Sequence, residues 1–133
     1  GGHAGLFSNA NDLAKLMQMY LQNGEYAGER YLSEEVVKEF TKCQFPDNDN
    51  RRGVGFDKAA LPEEEGGPAS ENASQKGFGH SGFTGTLVWA DPETQIVYVF
   101  LSNRIHPDAT NKKLLDMDVR TNIMEVIFNS VND

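Results

Sequence analysis

The sequence predicts an α+β domain, an antiparallel sheet flanked by helices, and three observations carry that expectation. A glycine-rich run, Gly77-Phe78-Gly79-His80-Ser81-Gly82, leads into two arms rich in β-branched and aromatic residues, the composition that suits a pleated, half-buried surface. The arms, around Leu87-Val88-Trp89 and from Ile96 to Leu101, are separated by Asp91-Pro92-Glu93-Thr94-Gln95, turn chemistry that folds them into a hairpin. Two other segments, after Asn9 and from Asp118 to Val131, repeat apolar residues at intervals of three and four, the period of a helix with one buried stripe.

In chain order, Leu6 and Phe7 of a glycine-rich entry are expected to pack down just ahead of the first helix, and Asn9 with Asp12 three positions later forms a weak capping box for it. That helix carries Leu13, Leu16, Met17, Tyr20 and Leu21 on one stripe and ends at Asn23-Gly24. The spacing reads as core packing rather than a ligand surface. Gly24 to Leu32 is a polar connection. Ser33 then caps a second helix, with Glu34 and Glu35 at its positive end and Val36, Val37 and Phe40 as its buried face. Pro46 to Asn50 is a loop, and Arg51-Arg52 lead into Gly53-Val54-Gly55-Phe56-Asp57, which reads as a short strand. From Lys58 to Lys76 the composition shifts to Pro, Gly, Ser and Glu; so few apolar groups cannot offset the ordering entropy, and residues 58–76 are expected to form a mobile surface loop. Its Glu63-Glu64-Glu65 triplet reads as a solvated charge run before a cation site. Ile96 to Leu101 is apolar at every position and should be covered on both faces, with Val119, Ile123, Val126, Ile127 and Phe128 of the last helix as the cover. Arg104 to Met117, polar and containing Pro107, fits a loop.

Length and charge narrow the function. A chain of 133 residues suits one domain. Twenty acidic against twelve basic residues give a net charge of -8, which opposes approach to a phosphate backbone, so no nucleic-acid partner is expected. Cys43 is the single cysteine and leaves the redox compartment open. The longest apolar run, Ile96 to Leu101, is far short of the roughly 18 to 20 residues that a membrane-spanning helix needs. The chain opens at Gly1-Gly2-His3 rather than at a methionine, as expected of a piece of something larger.

Several literal motif matches fail on context. Gly77-x-Gly79-x-x-Gly82 satisfies a dinucleotide fingerprint by letter, yet strand-like residues follow where a helix must open. Gly79-His80-Ser81-Gly82-Phe83 lacks the closing glycine and the strand-to-helix turn of a nucleophile elbow, so Ser81 is a poor nucleophile candidate. His3, His80 and His106 lack metal-ligand spacing, and neither a metal nor a cofactor is expected. What remains is a strand edge bearing His80, Ser81 and Gly82, then Phe83. Such an edge offers a polar ring to shuttle a proton or hold a carboxylate, a hydroxyl donor, and a main-chain amide for a developing oxyanion. The other reading of His80 is that it satisfies a neighbouring carbonyl in a glycine-rich strand.

His80-Ser81-Gly82-Phe83-Thr84-Gly85, the Asp91-Pro92-Glu93 turn and Val99-Phe100-Leu101-Ser102-Asn103 together resemble the third active-site motif and following hairpin of the serine β-lactamase and penicillin-binding-protein superfamily. The likeness is strongest to its class C, DD-peptidase and esterase-like branch, where a Lys-Thr-Gly triplet can be replaced by His-x-Gly. Gly2-His3-Ala4-Gly5-Leu6-Phe7-Ser8 with its helix, and Gly53-Val54-Gly55-Phe56, resemble segments of the same branch. The resemblance covers nearly the whole chain in order, and it is the order and spacing, not any one motif, that carry it. The wording Gly-His-Ala-Gly-Leu-Phe-Ser further resembles β-lactamase-type domains attached to family 3 β-N-acetylglucosaminidases of Bacteroidetes-like bacteria.

That resemblance implies a sheet with helices on both faces, His80 in place of the third-motif lysine, Ser81 as its hydroxyl residue, and Gly82 keeping the strand open. It implies the Phe83 amide as an oxyanion donor and places Phe83 and Thr84 against substrate. It also implies a Ser-x-x-Lys nucleophile with a Tyr-x-Asn or Ser-x-Asn partner. No serine here precedes a lysine by three, and Ser70-Glu71-Asn72 and Ser130-Val131-Asn132 match the second motif by letter only. Residues 1–133 are therefore expected to be the C-terminal portion of such a domain. Alone, the piece would be inert and would expose a sheet edge that seeks the N-terminal remainder or another copy by element exchange. The parent is expected in the periplasm or cell envelope, acting on a peptidoglycan-type peptide, a β-lactam or an ester. Asp108, near where class C enzymes hold a substrate carboxylate with a neutral residue, counts against a β-lactam. A non-catalytic accessory or binding domain, and an independent small structural domain, are the alternatives.

Overall fold

The computed structural model describes residues 4–48, 50–61, 64 and 66–132. Gly2 and His3 of the opening motif, and Glu63 and Glu65 of the acidic triplet, lie outside the described residues. The architecture is α+β, with antiparallel sheets flanked by helices.

Helix α1 spans Ala10–Leu21. The Asn9 Oδ1 accepts from the Asp12 amide at 3.0 Å while its Nδ2 donates to the Asp12 carboxylate at 2.8 Å, so the cap is reciprocal as the sequence predicts. The helix ends where Asn23 and Gly24 take positive φ of 54° and 93°. Its buried residues are Met17 and Met19; Leu16 is exposed, a departure from the expected stripe, and Leu6 and Phe7 ahead of the helix are exposed rather than packed down. The connection after it is a hairpin, β1 (Glu25–Tyr26) with β2 (Glu29–Arg30). Ala27 and Gly28, both at positive φ, make the turn whose twist matches antiparallel strands. Helix α2, Glu34–Thr41, is capped by the Ser33 hydroxyl. Of its expected apolar face only Val37 is buried; Val36 and Phe40 are exposed.

The main sheet runs β3 (Asp57–Lys58), β4 (Phe78–Ser81), β5 (Leu87–Asp91), β6 (Ile96–Phe100), every pair antiparallel. The strand expected over Gly53 to Asp57 shrinks to its last residue and moves on to Lys58. Gly55 sits at φ 75°, outside the extended region a strand requires. Helix α1 packs on β5 and β6, bringing Met17 to Phe78 and Ala90 with Tyr20, Phe56, Val88 and Val97 around them. The opposite face carries Leu87, Trp89 and Tyr98 against Met124 and Phe128 of helix α4, Val119–Asn132; a short helix, α3 (Lys113–Asp116), precedes it inside the expected loop. The phase of α4 differs from the expected stripe. Ile123 and Val126 are exposed, and Met124, Ile127 and Phe128 face the sheet.

The segment expected to be a mobile loop, 58–76, contributes to this core. Ala59, Ala69 and Ala73 are buried in the Trp89 cluster, and the Ser70 hydroxyl and Asn72 amide donate to the Glu125 carboxylate of α4. Small side chains pack there without much apolar mass, which is why composition points the other way. Asp91 closes the arrangement. Fully buried, it accepts from the Ser74 amide at 2.7 Å, the Ser74 hydroxyl at 2.8 Å and the Glu93 amide at 2.9 Å, tying the segment to the turn of the hairpin.

Candidate active site

Strand β4 positions the sequence-predicted residues. Phe78 is buried between α1 and Phe56, with ring centroids 5.2 Å apart. The strand then leaves the core, so that His80 is exposed and Ser81 half-buried. His80 pairs with Val88 of β5, and Ser81 with Leu87. A four-residue bend follows, closed by the Gly85 amide donating to the Gly82 carbonyl at 2.9 Å and the Gly82 amide to the Thr86 carbonyl at 2.9 Å. The Thr84 carbonyl accepts from the Arg104 amide and the Ser102 hydroxyl, both at 3.0 Å, which fixes the bend against the segment after β6. Phe83 projects from it with 73% of its surface exposed, and the Arg104 guanidinium lies 4.8 Å from the centre of its ring, within cation–π range.

The glycines have a local reason. A Cβ on Gly79 would lie 2.0 Å from the Val88 carbonyl oxygen and 2.6 Å from the Trp89 ring, and one on Gly82 would lie 2.3 Å from the Thr86 hydroxyl. The close approach that the glycine pattern predicts is therefore made by the chain's own β5 and bend.

His80 is held at both ring nitrogens. Its Nδ1 is 2.7 Å from the Ser81 carbonyl oxygen and its Nε2 is 3.2 Å from Nη1 of Arg52. Arg52 in turn lies 3.4 Å from Asp57, whose buried carboxylate also accepts from Arg51 at 3.0 Å; Arg51 reaches on to Glu64 at 3.1 Å. Hydrogen bonds from the Leu61 amide and Arg51, with the guanidinium charge, hold the Glu64 carboxyl below the usual carboxylate range. Sequence reasoning placed Arg51 and Arg52 only as a lead into a strand. The available signal was a pair of adjacent arginines in an acidic chain.

His80, Ser81, Gly82, Phe83 and Thr84 thus follow one another from the end of β4 into the bend, with His80, Gly82 and Phe83 exposed and Ser81 and Thr84 half-buried; the register puts His80 on the face of α1 and Ser81 on that of α4. Of the other histidines, His106 is exposed on the loop after β6. Among the described residues no cluster of His, Cys, Asp and Glu could hold a metal ion. Asp108, also exposed, accepts from the Thr110 amide at 2.9 Å and hydroxyl at 2.7 Å; those bonds lower its pKa from the ordinary aspartate value.

Comparison with known proteins agrees on one family. The family model described as Beta-lactamase matches residues 1–120. Proteins of Salmonella paratyphi B and Salmonella newport named "Putative D-alanyl-D-alanine carboxypeptidase" are each 36% identical over 116 residues, a match covering 85% of this chain and 26% of theirs. The chain thus spans about a quarter of the length of these curated relatives. A crystal structure of a beta-lactamase from Mycobacterium bovis superposes with a TM-score of 0.67 at 21% identity, over 93% of this chain and 44% of that one. That likeness is one of fold: the present architecture matches part of a β-lactamase-like fold. With the model matched along most of its length, the chain belongs to the Beta-lactamase family, within the serine β-lactamase and penicillin-binding-protein superfamily.

Proposed function

We propose that the chain is the C-terminal part of a serine hydrolase domain and supplies the His80-Ser81-Gly82 wall of its acyl-enzyme pocket. The observation that carries this reading is the abrupt change along β4, from buried Phe78 to exposed His80 with exposed Phe83 just beyond. Exposed groups able to donate and accept hydrogen bonds at the end of a strand suit a place where a scaffold meets a ligand. In the reaction, a serine hydroxyl on the preceding polypeptide attacks the substrate carbonyl and its proton passes to a neighbouring base. The carbonyl oxygen becomes an oxyanion, received by the Phe83 amide and the nucleophile's own amide, and the amine or alcohol departs with a proton. Water then hydrolyses the acyl-enzyme. Ser81 offers the substrate a hydrogen bond, His80 lies beside it with both ring nitrogens already engaged, and Phe83 with Thr84 borders its acyl portion.

The curated relatives' name favours a peptide ending in D-alanine over an ester, and such an enzyme works in the periplasm or cell envelope. The carboxylate of Asp108 opposes an anionic β-lactam. The remainder of the domain has a place to dock. Among the described residues strand β6 is an outer strand of its sheet, half-buried at Ile96, Val97, Val99 and Phe100, and Ile123, Val126 and Val131 of α4 are exposed. In isolation the chain would be inert and exchange elements between copies. The wording of the opening motif supports a fusion to a β-N-acetylglucosaminidase.

The second reading, a non-catalytic accessory domain, is favoured by one observation, the lack of Ser-x-x-Lys in this sequence. A fluorescent penicillin or fluorophosphonate decides between them. Labelling of the longer polypeptide, with none of this chain alone, supports the hydrolase; a longer polypeptide that carries Ser-x-x-Lys and takes neither label overturns it.

A further inference from the structure

Both ring nitrogens of His80 face groups that permit only one arrangement of hydrogen. A guanidinium is all donor and keeps its proton in proteins, so at the 3.2 Å contact with Arg52 the His80 Nε2 must be the acceptor. A carbonyl oxygen only accepts, so at 2.7 Å from Ser81 O the Nδ1 must carry the hydrogen. An imidazolium would set an N–H against an N–H at Arg52. The two contacts agree on a neutral ring protonated at Nδ1.

We infer that Arg52 is a positioning residue for His80: it locks the imidazole as the neutral Nδ1–H tautomer and puts the fixed positive charge of the wall on its own guanidinium. The charges around the pair are consistent with this. Arg52 is restrained from behind by Asp57, a buried carboxylate shared with Arg51, which continues to Glu64. Two guanidinium groups and two carboxylates balance, with the ring uncharged. Val88, opposite His80 on β5, brings no charge. Arg52 itself is about half-exposed, at 47%, so the side chain is not closed off from solvent. This inference rests on the reading of that wall as substrate-facing for its functional meaning, but the tautomer does not depend on it. A lysine in a third motif joins charge and hydrogen bonding in one ammonium; here the two are divided between Arg52, which stays cationic, and His80, which orients.

Nitrogen-15 NMR of the histidine rings tests this on the chain itself, with His80 assigned by the signal lost in His80→Gln. The expected result is Nδ1–H in about tenfold or greater excess, because a hydrogen bond from a charged donor is worth a factor of that order. Arg52→Met should abolish the excess while the backbone amide spectrum is otherwise kept, and Arg52→Lys, which still donates, should restore part of it. A wild-type ring protonated at Nε2 overturns the proposal without any variant having to fold, and an Nδ1–H excess unchanged in Arg52→Met overturns it as well. A longer polypeptide that carries Ser-x-x-Lys and takes neither penicillin nor fluorophosphonate would instead sink the hydrolase reading, leaving the tautomer result standing.

Discussion

Phe78 and Gly79 at one end of β4, and His80 and Ser81 at the other, share a strand and a partner in β5 but not an environment. The first pair is enclosed by α1 and by the Trp89 ring, with no room on Gly79 for even a methyl group. The second pair emerges toward solvent, and among the described residues the side-chain contact it receives from another segment is that of Arg52 with His80. The first end is specified by packing, where any change of volume is felt. The second is specified by polar contacts that add little to stability, as expected of a scaffold's exposed, candidate binding positions.

The sharpest way to test the buried end is Trp89→Ala, which empties the centre of the core shared by β5, α4 and the 59–73 segment. Urea unfolding should show a loss of about 4 kcal/mol. A loss under about 1 kcal/mol would mean that this core is not the chain's main one. Asp91→Ala should cost about 3 kcal/mol, because it strands the amides of Ser74 and Glu93 that the carboxylate receives. If that variant unfolds no earlier than wild type, the 58–76 segment is not anchored as described.

Lys58 tests the opposite sign. Its side chain is buried, donating to the Lys76 carbonyl at 3.1 Å, and burial lowers its pKa from 10.5 to about 8. The unfolded chain therefore binds the proton more tightly than the folded one. The penalty is fully present below pH 8, is relieved as pH rises from 8 to 10.5, and is gone above that. Lys58→Met should stabilise the chain at pH 7 by up to about 3 kcal/mol, and its advantage should vanish near pH 10.5. An advantage independent of pH would assign the gain to packing alone. At the open end, His80→Ala should leave the unfolding free energy within about 0.5 kcal/mol of wild type while abolishing whichever label, penicillin or fluorophosphonate, the longer polypeptide takes. A strongly destabilised variant would make His80 part of the scaffold instead.

The elements that were legible in the sequence are those built from neighbours. The Asn9 and Ser33 caps, the Asn23-Gly24 stop and the hairpin through Asp91 to Gln95 each depend on residues within a few positions of one another, so local chemistry suffices. The faces of α2 and α4 were harder. Val36, Phe40, Ile123 and Val126 fit an apolar stripe by spacing yet are exposed, because spacing gives a helix's stripe but not which edge of it meets the sheet. The 58–76 segment was misleading for a related reason. Its alanines add little to hydropathy, but they fit where larger side chains could not, beneath Trp89 and Phe128.

At the wall, His80, Ser81 and Phe83 could be singled out from one short run of sequence, whereas Arg52 could not. The contact between Arg52 and His80 joins positions 28 residues apart, and no periodicity or spacing connects them. The sequence by itself determined the α+β class, the hairpin and the candidate segment, since backbone preferences and apolar periodicity act over a few residues. Only the tertiary structure decided that β4 turns outward at His80, that the glycines yield to Trp89 and Thr86, and that two arginines and a buried aspartate stand behind the imidazole. Those outcomes rest on side chains meeting across the fold, and such meetings exist only once the sheet has set the distances between them.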